Sequence, residues 1–233
     1  MTTFALVHGA WHGAWCWERL TPELEAFGHR VITVDLPVDD PSASFDDYAD
    51  VVCEAVGDEP GDDLVVVGHS LGGLTVSVVA ARRPMRHLVY LCALTPIPGQ
   101  PFAQQLRDDA EMLNADYPKG LGPKDALGRR AWVDRELAAF HLFGDCDDAT
   151  VSAAFSRLRP QAVYPYGLPC SLNEFPAVES TYVICAEDRM VNPDWSAAMA
   201  RNRLGANVVE MPGSHSPFLS RPRELATLFA RHT

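Results

Sequence analysis

Short, uninterrupted apolar runs punctuate the chain at residues 4–7 (FALV), 31–34 (VITV), 64–67 (LVVV), 87–92 (HLVYLC), 181–185 (TYVIC) and 207–211 (NVVEM). Strands with one wet face alternate apolar and polar residues. Continuous runs bounded by turn residues predict strands covered on both faces, as in a parallel sheet. Between the runs the period changes to that of a helix. Residues 17–27 place Leu20, Leu24 and Phe27 on one stripe and close at Gly28, and residues 45–56 turn Tyr48, Val51, Val52, Ala55 and Val56 inward. Residues 74–81 are apolar almost all round; Arg82 and Arg83 follow where positive charge suits a helix C-terminus, and Pro84 stops the helix. Later helices are predicted over 193–203, with Pro193 in the first turn, and over 217–231, carrying Leu219, Leu225, Leu228 and Phe229. Strands alternating with helices at these spacings give an α/β fold of three layers, a mostly parallel sheet with helices on both faces.

The alternation breaks between residues 93 and 178, where prolines and amphipathic segments appear without a clear strand. That is too long for a structureless loop, so it predicts an inserted helical cap. Candidate helices are 102–113, 129–142 and 149–158, with turns at 118–123 and 164–169. The organisation expected is one structural domain: an α/β core from 1–95 and 177–233, and a cap insertion from 96–176.

Composition narrows the setting. Hydrophobic residues make up 47% and charged residues 21% of 233, as in a folded globular protein, and no apolar run reaches membrane-spanning length. A formal net charge of -12 repels nucleic acid and anionic membranes, so neither is expected as a partner. The N-terminus lacks a basic segment before its first strand, which predicts a cytoplasmic protein. Six cysteines stand singly, without CxxC pairs, and read as free thiols rather than a disulfide framework or a zinc site.

Candidate chemistry centres on Gly68-His69-Ser70-Leu71-Gly72, a G-x-S-x-G pattern between an apolar strand and an apolar helix. Such a nucleophile elbow lifts a serine hydroxyl above the sheet edge on a sharp turn. A serine hydroxyl needs a base, and the base an orienting carboxylate. After the run at 181–185 comes Ala186-Glu187-Asp188-Arg189, and after 207–211 comes Pro212-Gly213-Ser214-His215-Ser216. Ser70, Asp188 and His215 therefore occur in the order Ser, Asp, His, with Glu187 the competitor for the acid. Leu71 N–H, at the start of the helix, and Ala10 N–H, in the loop after the first strand, are the expected oxyanion donors, with Gly9 leaving that side unobstructed. His8 and His12 lack a carboxylate or cysteine at suitable spacing, so no metal is expected. His29, His87, His141 and His232 read as structural or surface residues, and no cofactor is implied.

Four segments, LVHGAWHGAWCWERL (6–20), GHSLGG (68–73), ICAEDRMVNPDW (184–195) and MPGSHSPFLSRP (211–222), resemble the branch of α/β-hydrolases that contains plant hydroxynitrile lyases and the salicylate and jasmonate methylesterases. The resemblance covers nearly all of the core and extends to the cap mainly by length and position. It implies a six-stranded sheet carrying Ser70, Asp188 and His215, oxyanion donors at Ala10 and Leu71, a cap roofing an apolar pocket, and a plausible homodimer. Lyases resembling this chain carry threonine or asparagine where Gly9 stands, and one class has lysine where Ser216 stands. Their absence favours a serine carboxylesterase over a carbon–carbon lyase; a slow hydrolase acting as a small-ligand binding protein is a third reading. Specificity is expected from the cap and Trp11, with Gly9, Trp11, His69, Trp132, Phe140, Phe143 and Phe218 as pocket candidates and Phe155, Tyr164 and Tyr166 as further aromatic surface. These favour a small apolar or aromatic acyl or alcohol group over a charged one, and the acidic net charge disfavours polyanionic substrates.

Overall fold

The computed structural model describes residues 1–231, so His232 lies outside the described residues. The core strands are β1 (Thr3–Val7), β2 (Arg30–Val34), β3 (Leu64–His69) and β4 (His87–Leu91), and, after a long insertion holding the short β5 (Arg129–Arg130) and β6 (Gln161–Ala162), β7 (Ser180–Cys185) and β8 (Asn207–Met211). They form a six-stranded sheet in the order β2-β1-β3-β4-β7-β8, and every pair is parallel. For β1 and β3 the continuous apolar runs have the predicted cause, since both are buried along their whole length, whereas the edge strands β2 and β8 are only partly covered and expose Arg30, Thr33, Asn207 and Glu210.

Strand order decides where ligands can sit. The chain runs outward from β1 to β2, then returns past β1 to β3, so successive right-handed crossovers lie on opposite faces. Helix α1 (Thr21–Ala26) accordingly packs with the C-terminal α9 (Pro222–Ala230), while α2 (Phe45–Val56) packs with α3 (Gly72–Arg82). The reversal opens a crevice at the C-terminal ends of β1 and β3. Register then places the two following loops side by side: Val7 pairs with Gly68, so His8 and Gly9 continue beside His69 and Ser70.

Several expected helices are interrupted, each for a local reason. Residues 17–27 divide into a 3-10 turn (Ala14–Trp17) and α1, because Pro22 in the first turn of α1 lacks the N–H that a continuing helix requires. Trp17 is fully buried, and Phe27, expected on the inner stripe, is 50% exposed beyond the end of α1. Helix α2 has the predicted limits, with Ser44 and Asp47 forming a capping box; Tyr48, Val52 and Val56 are buried but Ala55 is exposed. The segment 193–203 is α7 (Pro193–Met199) followed by a wider turn (Ala200–Leu204) that ends at left-handed Gly205. Pro222 splits the last helix into α8 (Pro217–Ser220) and α9.

The insertion between β4 and β7 contains α4 (Phe102–Asp108), α5 (Arg135–Leu142) and α6 (Asp148–Phe155). It also contains strands that the sequence pattern does not reveal. β5 and β6 pair antiparallel over two residues each, too short to show a period of two. The insertion is tied to the core by a bridge between Leu113 and Val191 and by Ala162 N–H donating to Val38 O. All six cysteines are free, and among the described residues no helix is long and apolar enough to cross a membrane.

Helix α3 approaches the sheet and the loop after β4 so closely that its first two residues admit no side chain. A Cβ on Gly73 would lie 2.1 Å from Leu94 O, and one on Gly72 would lie 2.7 Å from His8 O. Alanine in place of glycine ordinarily favours a helix by about 1 kcal/mol. Gly73→Ala is expected to reverse that sign and cost about 1–3 kcal/mol in urea unfolding. Gly167→Ala, whose Cβ would meet nothing within 4 Å, should stay within about 0.5 kcal/mol of wild type. Equal unfolding midpoints for the two variants would contradict this packing.

Candidate active site

Ser70 follows β3 directly and adopts φ +51, a left-handed conformation that is uncommon for a residue with a side chain. Three backbone hydrogen bonds hold it there: its N–H donates to Leu91 O at 3.1 Å, and its carbonyl accepts from Gly73 N at 3.0 Å and Leu94 N at 2.9 Å. The turn also requires Gly68, where a Cβ would lie 2.5 Å from Val76 Cγ2. Sequence and geometry agree on a strained strand-to-helix elbow.

The parallel sheet brings the two later loops to the same edge. His215 Nε2 lies 3.0 Å from Ser70 Oγ, and His215 Nδ1 lies 2.8 Å from Asp188 Oδ2. Asp188 Oδ1 accepts from Met190 N at 2.8 Å and Val191 N at 3.0 Å, so the carboxylate is fixed by its own loop while Oδ2 faces the imidazole. Glu187, the competing acid, turns instead to Gly213 N–H. Asp188 and His215 are both buried. Such a chain of hydrogen bonds can pass a proton from the serine hydroxyl to a histidine whose tautomer the carboxylate sets.

Ala10 and Leu71 both line the cavity in front of Ser70, and neither N–H is engaged by another backbone or side-chain group among the described residues. Their directions are set indirectly. A planar trans peptide points its N–H opposite its C=O, so pinning one end orients the other. Leu71 N–H belongs to the peptide whose carbonyl, Ser70 O, takes two hydrogen bonds. Ala10 N–H belongs to the peptide whose carbonyl, Gly9 O, accepts from His8 Nδ1 at 2.8 Å. His8 Nδ1 must carry a hydrogen to donate to a carbonyl, which leaves Nε2 to accept from Leu36 N at 3.0 Å. The next carbonyl, Ala10 O, accepts from His12 Nδ1 at 2.8 Å. His8 and His12, considered above only as improbable metal ligands, thus act as struts of this loop.

Arg159 is a further strut that the sequence pattern does not reveal. Its backbone N–H donates to Trp11 O at 2.7 Å, and its guanidinium donates to His12 O at 3.1 Å and Leu36 O at 2.7 Å, with Asp35 3.3 Å away. Trp11, held between these contacts, has φ +63. Nothing in the run Leu158-Arg159-Pro160 marks it; only the fold brings it to the loop after β1.

Burial keeps the accessory histidines neutral. It lowers His8 to about 4 and His12 to about 3, and it holds His69 well below the usual histidine range. His69 Nε2 donates to His215 O at 2.9 Å, so this ring supports the backbone of the loop that carries His215. One nitrogen, sulfur or oxygen from each of Cys92, Asp188 and His215 lies within 4.8 Å of the others. Two of the three are already joined by a hydrogen bond, and burial together with Cys185 pushes the Cys92 thiol well above its usual range, away from the thiolate that a metal requires.

The cavity encloses ≈340 Å³ and is walled largely by apolar side chains, including Leu94, Phe102, Leu106, Leu113 and Met190. Of the residues expected to line it, Trp11 does; Gly9, His69, Trp132, Phe140, Phe143 and Phe218 do not. Gly9 is bare because a Cβ there would lie 2.7 Å from Ser70 Cβ, so its role is close approach of the loop to the elbow rather than room for substrate. His69 and Phe218 pack on each other beneath the site with ring centres 4.8 Å apart, and Phe143 packs on His12. Trp132 supports Trp11 from behind at 5.6 Å, and Phe140 faces outward under the Arg189 guanidinium. Phe155 and Tyr164 are also off the wall, whereas Tyr166 is on it, joined by Tyr117. Of the missed wall residues, Phe102 and Leu106 lie one turn apart on α4 and Leu94 and Met190 follow core strands, while Leu113, Leu121, Lys124 and Val163 come from parts of the insertion outside its helices and strands, where no periodicity marks an inward face.

The family described as the alpha/beta hydrolase family matches residues 4–228. Methylesterase 9 of Arabidopsis thaliana is 28% identical over 244 residues, covering 97% of this chain and 95% of its own. Methyl jasmonate esterase 1 of Vitis vinifera is 27% identical, with 95% and 93% covered. A crystal structure of polyneuridine aldehyde esterase superposes with a TM-score of 0.85 at 24% identity, covering 99% of this chain and 98% of that one.

The buried histidines link the site to stability. Above their ordinary value of 6.5 they are neutral whether the chain is folded or not. Below it the unfolded chain takes up protons that the folded chain refuses, so stability falls as pH drops from 6.5 toward about 4 for His8 and about 3 for His12. Each contributes up to about 1.4 kcal/mol per pH unit. His12→Asn, which keeps a donor but cannot titrate, is expected to flatten the slope of unfolding free energy between pH 6 and 4 by close to one proton. An unchanged slope would show that His12 does not resist protonation.

Proposed function

The chain belongs to the alpha/beta hydrolase family, and we propose that it is a serine carboxylesterase acting on a small, apolar or aromatic ester through an acyl-enzyme. The observation that carries this reading is the continuous hydrogen-bonded line from Asp188 Oδ2 through His215 to Ser70 Oγ, with spacings of 2.8 and 3.0 Å, beside two unengaged backbone N–H groups. The names of its relatives, a methylesterase and a methyl jasmonate esterase, support the same class of reaction.

In this mechanism Ser70 Oγ attacks the ester carbonyl as its proton moves to His215 Nε2. Asp188 holds the ring in the tautomer that can accept there, and stabilises the imidazolium once formed. The carbonyl oxygen becomes an oxyanion facing Ala10 N–H and Leu71 N–H. Each such donor contributes about 10²- to 10³-fold in rate because it is in place before the charge develops. The tetrahedral intermediate collapses, the C–O bond to the alcohol breaks, and His215 gives the leaving oxygen its proton. Water then enters, loses a proton to His215 and attacks the acyl carbonyl; the second collapse returns that proton to Ser70 and releases the acid. The insertion over 96–176 serves as the cap that supplies the apolar walls.

The lyase alternative loses support at Gly9. The side chain that the lyases carry there would begin 2.7 Å from Ser70 Cβ, so this elbow and loop would have to separate to accept one.

Ser70→Ala is expected to lower kcat for a 4-nitrophenyl ester by about 10⁴-fold or more, and Asp188→Asn by a similar factor through the wrong histidine tautomer. Circular dichroism of both variants should match wild type. Wild-type turnover by Ser70→Ala would overturn the proposal, and cyanide release from mandelonitrile outpacing ester hydrolysis would replace it with the lyase reading.

A further inference from the structure

The charge lining the cavity is the reverse of the charge on the protein. The chain carries 31 acidic against 19 basic residues, yet the cavity in front of Ser70 is lined by Lys124 and Arg130 and by no aspartate or glutamate. From this reversal we infer that the substrate is an ester that also bears a carboxylate, held by Lys124 and Arg130 while the ester group lies at Ser70. The inference rests on the serine-esterase reading and departs from the wholly apolar ester proposed there, since the end of the substrate away from Ser70 carries a charge.

Among the described residues neither cation has an acidic partner, in a chain rich in acids. Only two lysines occur, Lys119 and Lys124. Lys119 pairs with Asp116 at 2.7 Å, whereas no carboxylate lies within 4 Å of the Lys124 ammonium among the described residues. The two arginines of β5 divide in the same way. Successive side chains of a strand point to opposite sides. Arg129 meets Asp125 at 2.8 Å, while Arg130, on the cavity side, donates only to carbonyls: Gly122 O at 2.9 Å, Leu121 O at 3.2 Å and Pro118 O at 3.4 Å. Those carbonyls orient the guanidinium without neutralising it, and Arg130 Nη1 remains unengaged among the described residues.

A half-buried cation without a counter-charge is costly beside apolar walls, and an anionic ligand removes that cost. The two groups differ in reach. Arg130 is fixed by its carbonyls and by its own O, which accepts from Trp11 Nε1 at 3.0 Å. Lys124 is exposed at the cavity's edge and free to follow a ligand. A single carboxylate suits one fixed donor and one flexible ammonium better than a bidentate fork, since only one Arg130 terminal nitrogen is free. A volume of ≈340 Å³ suits a small substrate of this kind, such as a hemiester of a short dicarboxylic acid.

The test compares matched esters that differ in the carboxylate: 4-nitrophenyl hydrogen glutarate against 4-nitrophenyl pentanoate, and 4-carboxyphenyl acetate against 4-methylphenyl acetate. The first pair places the anion on the acyl part, the second on the alcohol part. In wild type at low ionic strength, the anionic-to-neutral ratio of kcat/KM is expected above one for at least one pair. It should fall roughly three- to fivefold in Lys124→Gln and further in Lys124→Glu, and it should shrink in high salt. Ratios at or below one for both pairs, or ratios equal across wild type and the two variants, overturn the inference and leave the esterase reading intact. Failure to hydrolyse any of the four overturns both.

Discussion

Two pinned peptide planes govern this site. The Ser70–Leu71 peptide is held through its carbonyl by Gly73 and Leu94, and the Gly9–Ala10 peptide through its carbonyl by His8. Because each peptide is rigid, fixing the oxygen aims the N–H at the far end, and both N–H groups belong to the wall of one cavity. The sheet makes the arrangement possible: β1 and β3 are hydrogen-bonded neighbours in register, so their following loops emerge side by side. The absence of a side chain at Gly9 and Gly72 lets those loops approach to contact distance.

Holding the loops takes polar groups that are costly to bury. His8, His12 and His69 are fully enclosed, and His12 Nε2 and His69 Nδ1 have no hydrogen-bond partner among the described residues. Their usefulness lies in fixed tautomers, since each ring donates to a carbonyl of a loop beside the site: Gly9 O, Ala10 O and His215 O. Neutrality follows from burial, which disfavours the charged ring. Arg159 completes the scaffold from the insertion. It ties the backbone of Trp11, His12 and Leu36 together, so the segment that walls the cavity also braces the loop beside Ser70.

Much of this was legible in the amino-acid order. Continuous apolar runs specify parallel strands, and the positions of Ser70, Asp188 and His215 after β3, β7 and β8 specify one sheet edge, because parallel strands end on the same side. The cavity wall was not legible. Aromatic content pointed to Trp132, Phe140, Phe143 and Phe218, but a large ring is as useful behind a wall as on it, and only Trp11 and Tyr166 among the expected aromatics reach the cavity. The polar struts were equally hidden. Which of several histidines faces a carbonyl depends on contacts between segments distant in sequence, and strands of two residues such as β5 leave no periodic trace of Arg130 facing inward. Helix ends were misjudged where prolines restart a helix, at Pro22 and Pro222, since an amphipathic stripe runs through such a break unchanged.

The proposed chemistry turns on a covalent bond between substrate and one oxygen atom. Rapid mixing with a 4-nitrophenyl ester, acid quenching within the first turnover and peptide mass spectrometry read that bond directly. The peptide containing Ser70 is expected to gain the mass of one acyl group, with fragmentation placing it on Ser70 and the modification disappearing as turnover ends. Turnover with Ser70 unmodified, or with the acyl group on another residue, would contradict the mechanism.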